Sequence, residues 1–386
     1  MKKYFTFAAV AAVVLSSCAK IENGATVIDN SNEPVLFGVY TAKTKAVPTT
    51  DKGSIDQAAL EASDYGFGVF TFFSDNSEGD NDYNAASPSN FKPNFMYNQQ
   101  VKYESSEWKY SPLKYWPNEF GDAAISAKTD KLTFFAYAPF VATDGVKDEG
   151  ITAFSAATAT GDPTVSFKVP AKAEDQIDLL WSNANLKNKT KLAVNGLVKF
   201  TFVHALSNLS IYPVAVVDVK DNIPASSGTD IDAATKVTIN SLTITGKFNQ
   251  EGTLNLATGV WTSSAATTDQ TITYQPATAY DVTNVNDKAE ADAAKAVTEF
   301  MFVPSSAAEN YEISIDYDFT TTDANVEGGK VIVNNKIKKT LNGVTFEQGK
   351  KIKLYVALGI TSVKVEAEVG DWTDAADQNV WLPANL

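Results

Sequence analysis

The chain contains no arginine; all 32 of its basic residues are lysines. Arginine is the side chain suited to bidentate recognition of carboxylate and phosphate, so its absence argues against a site built on such clamps. Histidine and cysteine each occur once, at His204 and Cys18. That supply is too small for a zinc site with several His and Cys ligands, and it leaves a Ser/His/Asp or Cys/His catalytic set a single option. An internal disulfide is excluded, so the fold must stand on its packed core. A phosphate-cradling glycine loop is also missing, because Gly66-Phe67-Gly68 reads as an alternating strand rather than a strand-to-helix turn. The formal charge is −14, and losing Lys2 and Lys3 with a cleaved leader would take it from −14 to −16. Such a surface repels nucleic acid and anionic lipid, whose binding requires basic patches. The expectation is therefore no enzyme, no catalytic residue, no metal, no cofactor and no nucleic-acid partner.

The informative stretch is the beginning. Lys2 and Lys3 precede an apolar run from Tyr4 to Leu15, which leads into Leu15-Ser16-Ser17-Cys18. A basic start, about a dozen apolar residues and small residues at the cut match a secretory signal, too short to span a bilayer that needs ~20 helical residues. Leu-Ser-Ser-Cys looks like a bacterial lipobox, in which the cysteine is acylated and becomes the mature N-terminus. Residues 1–17 then form a lipoprotein signal peptide, Cys18 is the lipid attachment, and 18–34 are a polar tether. The plainer alternative is an ordinary signal peptide with a coincidental cysteine.

At 386 residues, 44% hydrophobic and 11% aromatic, the chain can build two domains with sizeable cores. Short runs rich in Val, Ile, Thr, Phe and Tyr recur from Val35 to Val369, separated by Gly, Asn, Asp and Pro. In Tyr311–Phe319 the odd positions are apolar and the even ones polar, the pattern of a strand with one buried face. Helical periodicity is confined to Asp56–Ala62 and Asp287–Ala296. Many strands and few helices predict an all-β chain built of sandwiches or barrels, and two tandem β-sandwich domains fit the length. The polar stretch Ser182–Asn195 marks the junction, giving a first domain over 35–188 and a second over 189–386.

Three constellations invite functional readings. Tyr97, Tyr103, Trp108, Tyr110, Tyr115 and Trp116 crowd into Phe95–Trp116. They suit either a surface platform on which sugars stack, as in a glycan-binding lipoprotein or tip adhesin, or a hairpin that buries one aromatic row. Asp75–Asp82 concentrates oxygen ligands, but without the spacing of a twelve-residue calcium loop, and reads as a solvated acidic loop. His204, among core formers on an expected strand, reads as a hydrogen-bonded core histidine.

The two ends look complementary. Val380, Leu382, Ala384 and Leu386 alternate along the final segment, after an Asp-rich joint over Gly370–Asp377. A terminal strand of this kind suits donation to a neighbour's open sheet, and equally suits an edge strand within its own domain. Val35, Phe37 and Val39 present a similar face at the other end. The following small-residue segment, Thr41–Pro48, carries Lys43 and Lys45 and suits a trypsin-like cut. Removing the first strand would open a groove and an unpaired edge.

Taken in order, Cys18, Gly66–Phe73, Phe95–Asn118, Leu132–Phe140, Asp178–Ser182, Val198–Leu209, Phe346–Leu358 and Val363–Trp372 resemble the fimbrillins, the lipoprotein-derived type V pilins of Bacteroidetes. The resemblance implies two transthyretin-like β-sandwich domains, an outer-membrane lipoprotein precursor and extracellular removal of the first strand. It further implies polymerisation in which a neighbour's C-terminal strand replaces what was lost, so that the partners are other pilin subunits, a processing protease, outer-membrane lipid through Cys18 and a host or bacterial surface ligand. Lys45-Ala46 corresponds to the cleavage point and Gln378–Leu386 to the donor. Polymerising members are commonly cut after arginine, which this chain lacks, and Pro383 removes one ladder donor from the last strand.

Overall fold

A computed structural model describes residues 27–28, 33–41, 53–76, 81–84, 87, 90–117, 119–120, 130–215, 235–263, 266–282, 285–322, 324–359, 363–372 and 380–382. The chain is nearly all β. In the first half, β1 (Leu36–Thr41), β2 (Phe67–Ser74), β3 (Met96–Glu104), β4 (Glu107–Lys109), β5 (Lys131–Ala138), β6 (Gly150–Phe154), β7 (Thr164–Lys168), β8 (Leu180–Ser182) and β9 (Leu197–His204) follow one another. In the second come β10 (Ser207–Ala215), β11 (Lys236–Gly246), β12 (Glu251–Asn255), β13 (Trp261–Thr262), β14 (Gln270–Tyr274), β15 (Thr298–Phe302), β16 (Glu309–Thr322), β17 (Lys330–Val344), β18 (Lys350–Leu358), β19 (Val363–Asp371) and β20 (Val380–Leu382).

The two α-helices among the described residues fall where periodicity placed them, and each begins at an aspartate. Asp56 Oδ1 accepts the Ala59 N–H at 2.6 Å at the start of α1 (Gln57–Ala62), and Asp287 Oδ1 accepts the Glu290 N–H at 2.8 Å at the start of α2 (Lys288–Ala294). Each carboxylate satisfies a first-turn donor that has no partner within the helix.

The first half differs from an open sandwich. Its strands run in the order β8-β9-β1-β4-β3-β2-β5 and close, because β5 pairs with both β2 and β8 while β1 pairs with both β9 and β4. The barrel interior holds Phe37, Phe67, Val69, Phe134, Phe200 and Phe202. β2 and β5 bury both faces, as their unbroken apolar runs require. Their outward residues Phe70, Phe72, Phe135 and Tyr137 join a second core that continues through Leu209, Ile315, Tyr317 and Leu354 of the second half.

In the second half, the sheet β15-β10-β18-β19-β20 and the sheet β14-β11-β16-β17 share that core. A four-stranded sheet, β13-β12-β7-β6, draws strands from both halves. β9 lies beyond residue 188, yet it pairs with β8 and β1 in the barrel, and the chain changes sheets at the buried pair Ala205–Leu206. Val27–Ile28, within the expected tether, pairs antiparallel with Glu119–Phe120.

Candidate assembly interface

β1 is held unequally on its two sides. Toward β9 it makes six consecutive parallel register pairs, from Leu36 opposite Leu197 to Thr41 opposite Phe202. Toward β4 the strand register contains one pair, Phe37 opposite Trp108. The entry to β1 is tied by main-chain bonds: Val35 N–H donates to Lys114 O and Trp116 N–H to Glu33 O, both at 2.9 Å. Tyr110 Oη donates to Val35 O at 2.9 Å. Burial pushes the Tyr110 phenol above its ordinary range, against the lowering effect of its hydrogen bond with the Lys114 backbone.

The alternation read from the sequence is realised here. Val35 and Phe37 are buried, Val39 packs half-buried against the barrel core, and Leu36 and Tyr40 are exposed on the outer face. The Phe37 ring lies 5.2 Å from Tyr110, 5.5 Å from Phe200, 6.1 Å from Phe134 and 6.4 Å from Phe67, centroid to centroid. These four aromatics are the groove floor that β1 covers. They come from β2, β5, β9 and the segment after β4, so no local sequence window could have grouped them.

At the other end, β20 is the outermost strand of its sheet. It pairs antiparallel with β19 through Ala367–Leu382, Glu368–Trp381 and Val369–Val380, whereas β19 is fastened to β18 through nine pairs. Of the expected donor positions, Val380 and Leu382 lie on the described backbone of this edge strand within their own chain. Ala384 and Leu386 lie outside the described residues, as do the lipidation site Cys18 and the cut site Lys45 and Ala46.

The aromatic cluster is built into the barrel. Trp116 is 2% exposed and meets Phe134 at 5.9 Å, Tyr110 is buried beneath β1, and Trp108 packs on Phe67 at 5.0 Å. Tyr115 is exposed at the rim. In the acidic loop, Asp82 accepts from Lys131 Nζ at 2.6 Å and from Asn76 Nδ2 at 2.8 Å. His204 is a core histidine, with Nδ1 2.6 Å from Asp178 Oδ2.

The sequence model of the fimbrillin-like family matches residues 44–372. Fimbrium subunit Fim1C of Phocaeicola vulgatus is 27% identical over 381 residues, covering 91% of this chain and 92% of that protein. The crystal structure of a fimbrial protein from Bacteroides vulgatus superposes with a TM-score of 0.61 at 22% identity, covering 89% of this chain and all of the other, and shares its fold.

Proposed function

We propose, since this chain belongs to the fimbrillin-like family, that it is a shaft subunit of an adhesive fimbria, assembled by strand exchange after β1 is cut away. In this reading the precursor is exported as an outer-membrane lipoprotein through Cys18, and a lysine-tolerant protease cuts between Lys45 and Ala46. The C-terminal strand of the next subunit then fills the groove with Val380, Leu382, Ala384 and Leu386. The chain comprises two transthyretin-like units, the first closed by β1 and incomplete once processed. Its partners are other pilin subunits, and the mature form resides in extracellular fimbriae.

The observation that carries this reading is the seating of β1. The strand covers a floor of four aromatic rings, yet its β4 side holds one register pair. Its loss would leave the β9 edge without a partner and the Phe37 site empty, a combination that recruits another strand. Burying each large aliphatic side chain of an incoming strand stabilises by ~1.5–3 kcal/mol before ordering costs, so three or four suffice for a durable joint. In the uncut chain β20 occupies its own sheet edge through three pairs, a hold much smaller than the nine that keep β19.

Truncation before Gln378 tests the proposal by electron microscopy of surface fibres. Fibres lost while the monomer stays folded support it, and fibres unchanged overturn it. Mass spectrometry of surface material adds the processing step: an N-terminus at Ala46 fits a polymerised subunit, whereas a lipidated Cys18 in the fibre fits an anchor.

A further inference from the structure

We propose that Lys351 and Asn208 are joined by an intramolecular amide bond, formed by the folded protein itself with Glu299 as the proton-transfer group. β10 lies between β15 and β18 in one sheet. Asn208 on β10 and Lys351 on the parallel strand β18 are register partners, and Ser210, two residues on, is the partner of Glu299 on β15. Alternate residues of a strand share a face, so Asn208 and Ser210 lie on one side of β10. Lys351 reaches over that strand to place Nζ 2.9 Å from Glu299 Oε1. Its stem therefore crosses the middle strand on the face that carries Asn208.

The amide is set up to react. Asn208 is fully buried, and its side-chain amide hydrogen-bonds the Glu299 carboxyl. Its Oδ1 lies 2.5 Å from Ser210 Oγ, a hydroxyl placed to polarise the carbonyl. Glu299 also accepts from Ser54 Oγ at 2.6 Å, and Ser210 Oγ lies 3.3 Å away. Burial pushes the Glu299 carboxyl up, but the Lys351 charge and the hydrogen bonds from Ser54, Lys351 and Asn208 bring it below the ordinary range, so it begins as a base.

The step balances without an added reactant. Glu299 takes a proton from the Lys351 ammonium, the free amine attacks Asn208 Cγ, and the protonated Glu299 passes that proton to the departing nitrogen and takes up the second proton shed by the new amide nitrogen. A carbon–nitrogen bond forms, another breaks, and ammonia leaves. The leaving nitrogen is Nδ2 of the amide that meets Glu299. The product would tie β10 to β18, two strands from β20, so that tension on the terminal strand reaches the body of the subunit without unzipping this parallel pair. The inference stands on side-chain geometry and is independent of strand exchange.

The test is the intact mass of the purified full chain together with peptide mapping. The expected result is a mass lower than the sequence by one ammonia and a branched peptide linking the Asn208 and Lys351 segments. Lys351→Ala and Asn208→Ala should each restore the full mass and abolish the branched peptide, and Glu299→Gln should do so with both reacting residues in place. Full sequence mass in the folded wild-type chain overturns the proposal, as does ammonia loss without the branched peptide. The wild-type measurement decides even if a variant fails to fold.

Discussion

His204 and Trp372 stack face to face, with ring centroids 4.0 Å apart and planes within 5° of parallel. Asp178 Oδ2 lies 2.6 Å from His204 Nδ1 and accepts the Ile55 backbone N–H at 3.1 Å. The end of β9, the residue after β19 and the segment before α1 are thereby joined in one buried contact. Trp372→Ala should cost about 3–5 kcal/mol in urea unfolding, as large buried aromatics do. His204→Ala, which leaves a buried carboxylate short of a partner, should cost about 1–3 kcal/mol. Because the rings touch, the double variant should lose measurably less than the two single losses combined.

The aromatic segment before residue 117 yields a contrast between neighbours. Trp116→Ala should cost about 3–5 kcal/mol, because its ring is enclosed against Phe134. Tyr115→Ala, at an exposed position, should stay within about 0.5 kcal/mol. Denaturant midpoints check both. A sugar-binding platform would give the opposite signature, with glycan binding lost from each and stability unchanged.

Much of the fold was legible because strand periodicity is local. Tyr311, Ile313, Ile315, Tyr317 and Phe319 are buried as their alternation required, and both helix starts were marked by an aspartate. Sandwich and barrel could not be told apart from the pattern, so closure of the first half was not legible. Gly196–Tyr212 reads as one continuous apolar run, and only the tertiary pairing shows that it breaks at Ala205 as the chain moves from one sheet to the next. The short strands β6, β7 and β8 carry too little pattern to stand out, and the second partner of β7, β12, lies far along the chain. Of the assembly site, the inward face of β1 could be read from alternation. Its floor of Phe67, Tyr110, Phe134 and Phe200 could not, because those residues meet only through sheet closure.

The ribbon formed by β16 and β17 should loosen in acid. Asp316 accepts from Asn334 Nδ2 at 2.9 Å and Asn240 Nδ2 at 3.2 Å, with Lys336 Nζ at 3.5 Å. The Asn334 hydrogen bond above all, with Asn240 and Lys336, holds its carboxyl below the ordinary 3.8, against a smaller upward push from burial. A depressed folded pKa means the stabilisation is fully present above 3.8 and is lost as pH falls through the folded value. Amide exchange across β17, followed on lowering pH, should show protection falling in that window. Asp316→Asn should flatten the dependence, and an unchanged acid profile in that variant would remove Asp316 as its source.

Two tyrosines of the same strand should separate hydrogen bonding from burial. Tyr317 and Tyr311 are both pushed up to about 12 from the ordinary 10.0, in each case chiefly by burial. Their raised values contribute stability that is complete below pH 10 and is lost as pH rises toward 12, since the unfolded phenols ionise first. The hydroxyls differ in their partners: Tyr317 Oη donates to Gly359 O at 2.8 Å, whereas Tyr311 Oη is buried with none among the described residues. At neutral pH Tyr317→Phe should therefore cost about 0.5–1.5 kcal/mol, while Tyr311→Phe should be neutral or stabilising, because it removes an unsatisfied buried group. Urea midpoints at neutral and alkaline pH test both statements together. Each variant should weaken the alkaline loss, and only Tyr317→Phe should lower the neutral midpoint. Equal neutral losses from the two would mean that the Gly359 hydrogen bond contributes nothing to stability.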